Sequence, residues 1–256
     1  MERIEVQAML DNEDRHWWYR GRRRIVEDEL ARLPVERGGR VLDAGCGSGR
    51  LLDTLTAYGE VSGLDMNPDS VAIARDRGHE DVHQGVVEQL PWPDDTFDLI
   101  TSLDVVEHTA DDRVSMRELK RVAKPGGRLL ITVPALQALW STHDVFNNHY
   151  RRYDRRSMRA LAADTGLTIE RMTYFNSLLL PPAAVVRLLQ RRRLRNATAG
   201  DGNANGDGNG KHRSDVELTP QWMSSTLELP LRAEAVWLRR DRTLPVGLSL
   251  LAVLRK

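Results

Sequence analysis

The chain has 256 residues, 41% of them hydrophobic and 5% aromatic, which is long enough to bury a sizeable core and ordinary for an α/β protein. Its 37 basic and 37 acidic side chains balance, which excludes a globally basic nucleic-acid binder. The longest apolar runs, 178–186 and 244–254, fall short of the ~20 residues a bilayer crossing needs, and the opening residues read as no secretory signal. The single cysteine, Cys46, points to a reducing cytosol, so a cytoplasmic protein is expected.

In chain order, residues 1–37 read as a polar N-terminal helical cap, with Trp17, Trp18 and Tyr19 leading into Arg22, Ile25, Val26 and Leu30. Trp17, Trp18 and Tyr19 either staple this helix to the core or roof a pocket. From 38 to 175 strands and helices alternate: strands near 40–44, 60–65, 81–83, 97–103 and 127–133, helices near 50–57, 69–76 and 111–122, then a helix at 155–165 and a strand at 168–174. Such alternation implies a parallel, doubly wound sheet with helices on both faces, because right-handed crossovers return the chain to the same edge. A helical insertion at 176–243 follows, and 244–256 holds a last strand. Within the insertion, 196–215 is rich in Gly, Asn and Asp and reads as a disordered linker. The stretch 178–195 pairs Leu and Val with Arg191, Arg192, Arg193 and Arg195. It reads either as a helix packed on the domain or as peripheral contact with the inner face of an anionic membrane.

The run from Val41 to Gly49 carries the chemistry. Val41, Leu42 and Asp43 suit a buried strand, and Gly45, Gly47 and Gly49 suit a turn that lets backbone approach a nucleotide-like ligand before a helix opens. Twenty residues beyond Gly45, Asp65 ends a second strand, where a doubly wound sheet places the acid that accepts from ribose hydroxyls. A dinucleotide turn would need its third glycine at position 50, which is Arg50.

This D-x-G-x-G-x-G spacing resembles the first motif of the class I S-adenosylmethionine-dependent methyltransferases of the bacterial type 11 kind. The likeness continues through Leu90–Ile100, Asp104–His108 and Arg121–Ile131, and covers 38–136 best. It implies a Rossmann-like seven-stranded sheet whose last strand is antiparallel beside the fifth. It also implies S-adenosyl-L-methionine as cofactor, held by Asp43, Gly45, Gly47, Gly49, Asp65, Met66, Val87 and Leu103. Where the family often has Gly-Asp or Gly-Asn after the third strand, Gly85 is followed here by Val86 and Val87, which leaves the adenine contact to a backbone amide near Val87 or to Glu88.

Glu107 and His108 follow the fourth strand, and His149 lies on the loop after the fifth, so these three are the candidate catalytic residues. A hydroxyl acceptor must shed its proton, which an imidazole can accept. Asp104, Glu107 and His108 also resemble an element that holds a divalent metal in ubiquinone-pathway O-methyltransferases. The competing reading of these residues is a structural one without metal. Arg151 and Arg152 are placed to grip an anionic acceptor. The expected activity is methyl transfer to a hydroxyl of a small or lipid-linked acceptor. The alternatives are an NAD-type Rossmann oxidoreductase and a catalytically silent methyltransferase-like binding module.

Overall fold

The structure, a computed structural model, describes residues 16–185 and 221–256. The first 15 residues, the stretch 186–195 of the suggested membrane contact, and the whole linker at 196–215 lie outside the described residues. The described elements are α1 (Trp17–Leu30), β1 (Gly39–Ala44), α2 (Leu52–Leu55), β2 (Gly59–Asp65), α3 (Pro68–Asp76), β3 (Val82–Gln84) and β4 (Phe97–Leu103). After a 3-10 turn at Val106–His108 come α4 (Asp112–Val122), β5 (Ala123–Pro134), α5 (Thr142–Phe146), α6 (Arg155–Thr165), β6 (Thr168–Phe175), α7 (Gln221–Leu238) and β7 (Ser249–Arg255).

The seven strands lie in the order β3-β2-β1-β4-β5-β7-β6. β3, β2, β1, β4 and β5 pair in parallel, and β7 runs antiparallel to both β5 and β6. This is the Rossmann-like α/β architecture with a reversed last strand that the family resemblance implies. The strand order turns back between β1 and β4, and in an open parallel sheet that point opens a crevice at the C-terminal strand ends.

Strict alternation along the strands builds two cores, since successive side chains leave opposite faces. Leu42, Ile100, Leu129 and Ile131 enter one core with Met116 and Leu119 of α4 and Met158 and Leu161 of α6. Val41, Leu99 and Leu130 enter the other with Ile25, Val26 and Leu30 of α1 and Leu231, Ala235 and Leu238 of α7. Within the helical insertion, α7 closes the second core against α1. The crossing is close: a Cβ on Gly21 would sit 2.2 Å from Cδ1 of Leu231.

Local signals set the helix ends. Asn67 caps α3 by accepting from Asp69 N, with Pro68 in the first turn; Asp111 caps α4 from Arg113 N; Asp154 and Ser157 form a reciprocal capping box on α6. Gly166, left-handed at φ 68°, stops α6.

Three elements differ from the sequence reading by more than one residue at an end. The helix expected over 50–57 is the single turn α2, because 49–52 and 51–54 are closed by i to i+3 turns. β5 starts at Ala123 instead of 127, since Ala123 already pairs with Phe97. β7 starts at Ser249 instead of 244: Leu244 is drawn aside by hydrogen bonds with Thr173 Oγ1 and Arg155, and Gly247 passes against the Phe175 carbonyl.

Candidate functional site

The glycine turn leaves β1 in left-handed backbone, with φ of 88° at Gly45, 54° at Gly47 and 81° at Gly49. Gly45 is the tightest: a Cβ there would stand 2.2 Å from Cγ2 of Val105, the residue that leads into the turn after β4. The amides of Gly45 and Cys46 both donate to the Leu64 carbonyl, at 2.7 and 3.0 Å. Gly47 N donates to Asp65 Oδ2 at 2.8 Å, and Asn67 N donates to Asp65 Oδ1 at 2.9 Å. Asp65 therefore ties the turn to the start of α3. Each of its oxygens keeps a second lone pair for a ligand.

Asp43 lies buried at the foot of the turn and accepts from Thr101 Oγ1 at 2.6 Å. Burial pushes its pKa up to about 7, with Asp65 adding to the rise while Thr101 and Arg22 oppose it. Burial raises the Asp65 carboxyl as well, against the two amide bonds. Met66 is exposed beside Asp65, Val87 is buried, and Leu103 is half-buried at the end of β4. The residues named from sequence for the cofactor thus lie at or just beyond the C-terminal ends of β1, β2, β3 and β4.

Across the crevice, Asp104 adopts φ 56° and donates its backbone N–H to the Thr132 carbonyl at 2.8 Å, linking the ends of β4 and β5. Arg22 of α1 reaches this point. Its Nη2 lies 2.7 Å from Asp104 Oδ2, a close ion contact without hydrogen-bond alignment, and bonds Thr132 Oγ1 at 3.5 Å. Its guanidinium also stacks over the Trp18 ring, 5.2 Å from the centroid. Trp17 packs on the second core, which gives it the staple role. Sequence reasoning missed Arg22 at the site; its one signal is an arginine cluster on a helix, which normally marks a solvated face.

Glu107 is fully buried, and neither carboxylate oxygen has a hydrogen-bond partner among the described residues. Burial first, then the neighbouring Asp104, hold its pKa well above the usual carboxylate value. An unpartnered buried carboxyl costs stability, so this one marks a working site better than a structural one. His108 and His149 meet edge to face with ring centroids 4.7 Å apart. His108 is exposed as a residue, yet desolvation of its ring, then His149, lower its pKa. The loop after β5 thus brings His149 to the two residues after β4 from which 40 positions of sequence separate it.

The three residues that resemble a metal element do not form one donor group: Asp104 is engaged by Arg22, and the donor atoms lying within 4.8 Å of one another belong to Glu107, His108 and His149.

The expectation for Arg151 and Arg152 is corrected. Arg152 is buried and spans both oxygens of Asp144, Nε to Oδ1 at 2.7 Å and Nη2 to Oδ2 at 3.0 Å, while Nη1 donates to the Ala135 carbonyl. Arg151 pairs with Asp112 at 2.9 Å and donates to the Ala110 carbonyl. Both guanidiniums hold the loop together instead of waiting for an anion, because Arg152 meets a carboxylate of its own loop and Arg151 meets Asp112 at the start of α4.

Residues 42–131 match a family described as a methyltransferase domain. A protein of Mycolicibacterium smegmatis described as an S-adenosylmethionine-dependent methyltransferase is 30% identical over 161 residues, which is 61% of this chain and 62% of that one. The ubiquinone biosynthesis O-methyltransferase of Azorhizobium caulinodans is 32% identical over 102 residues, 38% of this chain and 40% of the relative. Among solved structures, a chain of the complex between the Haloferax volcanii Trm112 methyltransferase activator and a methyltransferase is alike in fold. Its TM-score is 0.61 at 24% identity, over 98% of this chain and 95% of that one. The chain therefore spans less than two thirds of the curated relatives' lengths.

Proposed function

This chain carries a class I S-adenosylmethionine-dependent methyltransferase domain, and from that premise we propose that it transfers a methyl group to a hydroxyl of a small or lipid-linked acceptor. The observation that carries the reading is the imidazole pair His108 and His149, with His108 on the turn that opens at Val105, whose side chain packs against Gly45 of the glycine turn.

In this reading the amides and small residues at Gly45, Gly47 and Gly49 admit the donor, and Asp65 accepts from its ribose hydroxyls. Asp43 orients the turn and faces the cationic methionine end, while Met66, Val87 and Leu103 line the adenosyl group. The bound donor supplies a methyl already activated on a sulfonium, so the protein's task is alignment and exclusion of water. As the acceptor oxygen forms its bond to the methyl carbon, the S–CH3 bond breaks to a neutral thioether. The hydroxyl proton passes to an imidazole of the His108–His149 pair. Glu107, beneath them, offers a hydrogen bond to the acceptor.

The lipid-linked option draws support from Val145, Phe146 and Tyr150. Each is more than half exposed on the loop that carries His149, which sets an apolar rim beside the imidazoles. The relative whose name specifies O-methyl transfer supports an oxygen acceptor. Among the described residues no helix is long and apolar enough to cross a membrane, so contact with a bilayer in this reading is peripheral.

The test is incubation with methyl-labelled S-adenosylmethionine and a bacterial lipid extract or a water-soluble extract, followed by mass spectrometry. Label in a methyl ether supports the reading. Label confined to amine products contradicts the hydroxyl acceptor.

A further inference from the structure

The loop that delivers His149 is clamped around one carboxylate. Asp144 is fully buried, and its carboxylate accepts from Ser141 N at 2.9 Å and Ser141 Oγ at 3.4 Å, from Arg152 Nε and Nη2, and from His149 Nδ1 at 3.0 Å. His149 N also donates to the Asp144 carbonyl at 2.9 Å, so ring and backbone are both tethered to the same residue. Arg152 fastens the group to the sheet through Nη1 to the Ala135 carbonyl, and its own N–H is held by Gln137 Oε1 at 3.0 Å. Burial alone would raise the Asp144 carboxyl, yet the His149 bond, then the Arg152 bond and charge, hold it well below the usual carboxylate range.

A carboxylate that stays ionised can only accept. The ring nitrogen facing it, Nδ1, therefore carries the proton, and in the neutral ring the basic lone pair belongs to Nε2.

We propose that Asp144, clamped by Arg152, is a positioning residue that fixes the His149 tautomer and ring plane and so makes His149, at Nε2, the base that takes the acceptor's hydroxyl proton. The proposal rests on the methyl-transfer reading above. In the step, the proton leaves the acceptor oxygen for Nε2 as the O–CH3 bond forms and S–CH3 breaks. The imidazolium is then stabilised by the Asp144 carboxylate until it returns the proton to solvent. Among the described residues, the charged and titratable groups around the ring include Asp144 and Arg152 of its own loop, His108 and Glu107 after β4, and, behind Glu107, Asp104 with Arg22 of α1.

The experiment joins nitrogen-15 NMR of histidine-labelled protein with rates of labelled methyl transfer into the lipid extract, for the wild type and Asp144→Asn. The expected wild-type spectrum shows His149 protonated on Nδ1 with Nε2 bare at mildly alkaline pH. In Asp144→Asn that preference is lost, and the transfer rate near neutrality falls on the order of 100-fold or more, with S-adenosylmethionine affinity unchanged. The gap narrows as pH rises, because solvent base takes over the proton. A merely structural Asp144 would lower the rate by the same factor at every pH.

A wild-type His149 protonated on Nε2 overturns the proposal, and because it needs no variant it decides the matter even if Asp144→Asn fails to fold. Transfer abolished by a chelator and restored by a divalent cation also overturns it, by assigning the imidazoles to a metal. Absence of wild-type transfer into any fraction overturns the function and this step together, whereas a labelled product with the wrong tautomer removes only this step.

Discussion

Between β1 and β2 the crevice is made of backbone: three left-handed glycines, and amides that converge on Leu64 and Asp65. Between β4 and β5 it is made of side chains from three separated segments, with Arg22 of α1, Asp104 and Glu107 after β4, and His149 after β5 converging there. A backbone cradle recognises what is common to every reaction of a fold, the adenosyl group, and tolerates little substitution. A cradle of side chains can be rebuilt residue by residue, and in the proposed function acceptor choice is assigned to it.

The sharpest way to break this contrast is Gly45→Val. A residue with a Cβ must abandon φ 88° and displace Val105, at ~1–2 kcal/mol for the backbone alone. Donor affinity is expected to fall at least ~100-fold by calorimetric titration, a loss of roughly 3 kcal/mol. Undiminished binding would mean the turn is not the cradle.

Asp43 gives the next effect, through pH. Its folded pKa of about 7 exceeds the 3.8 of an ordinary aspartate. The protonated form is thus favoured by folding; its stabilisation is complete below the ordinary value and is lost as pH rises through about 7. Asp43→Asn keeps an acceptor for Thr101 and removes the titration. The variant should therefore gain on the wild type by on the order of a few kcal/mol between about pH 4 and pH 8 in urea unfolding. A pH-independent difference would show that Asp43 is not buried as described.

On the acceptor side, Glu107→Leu removes an unpartnered buried carboxyl. It should raise the melting temperature, by roughly 1–3 kcal/mol in stability, while methyl transfer drops. Lost stability would instead indicate that Glu107 is a structural partner. The smallest effect is expected for Met66→Ala: the side chain is 70% exposed, and donor affinity should change less than about threefold. A larger change would extend the cradle beyond its backbone.

The same contrast explains what could be read from the sequence. Gly45, Gly47, Gly49 and Asp65 act through local geometry, and their spacing encodes it. Strand alternation at Val41–Leu42 or Leu129–Ile131 likewise encodes which face is buried, and the sheet followed from it. Arg22 and the Arg152–Asp144 clamp carry no local signature. Their partners are set by how α1 and the loop after β5 settle on the sheet, so a surface arginine and a buried one look alike in sequence. The short α2 and the late start of β7 were obscured for the same reason, since turn closure at Gly49 and the ties of Leu244 depend on tertiary neighbours.

The most direct measurement is calorimetric titration of the protein with S-adenosylmethionine, its demethylated product and NADH. Saturable heat at one site for the first two, and none for NADH, is the predicted result. Silence with both methionine derivatives, or saturable binding of NADH in their place, would contradict the account.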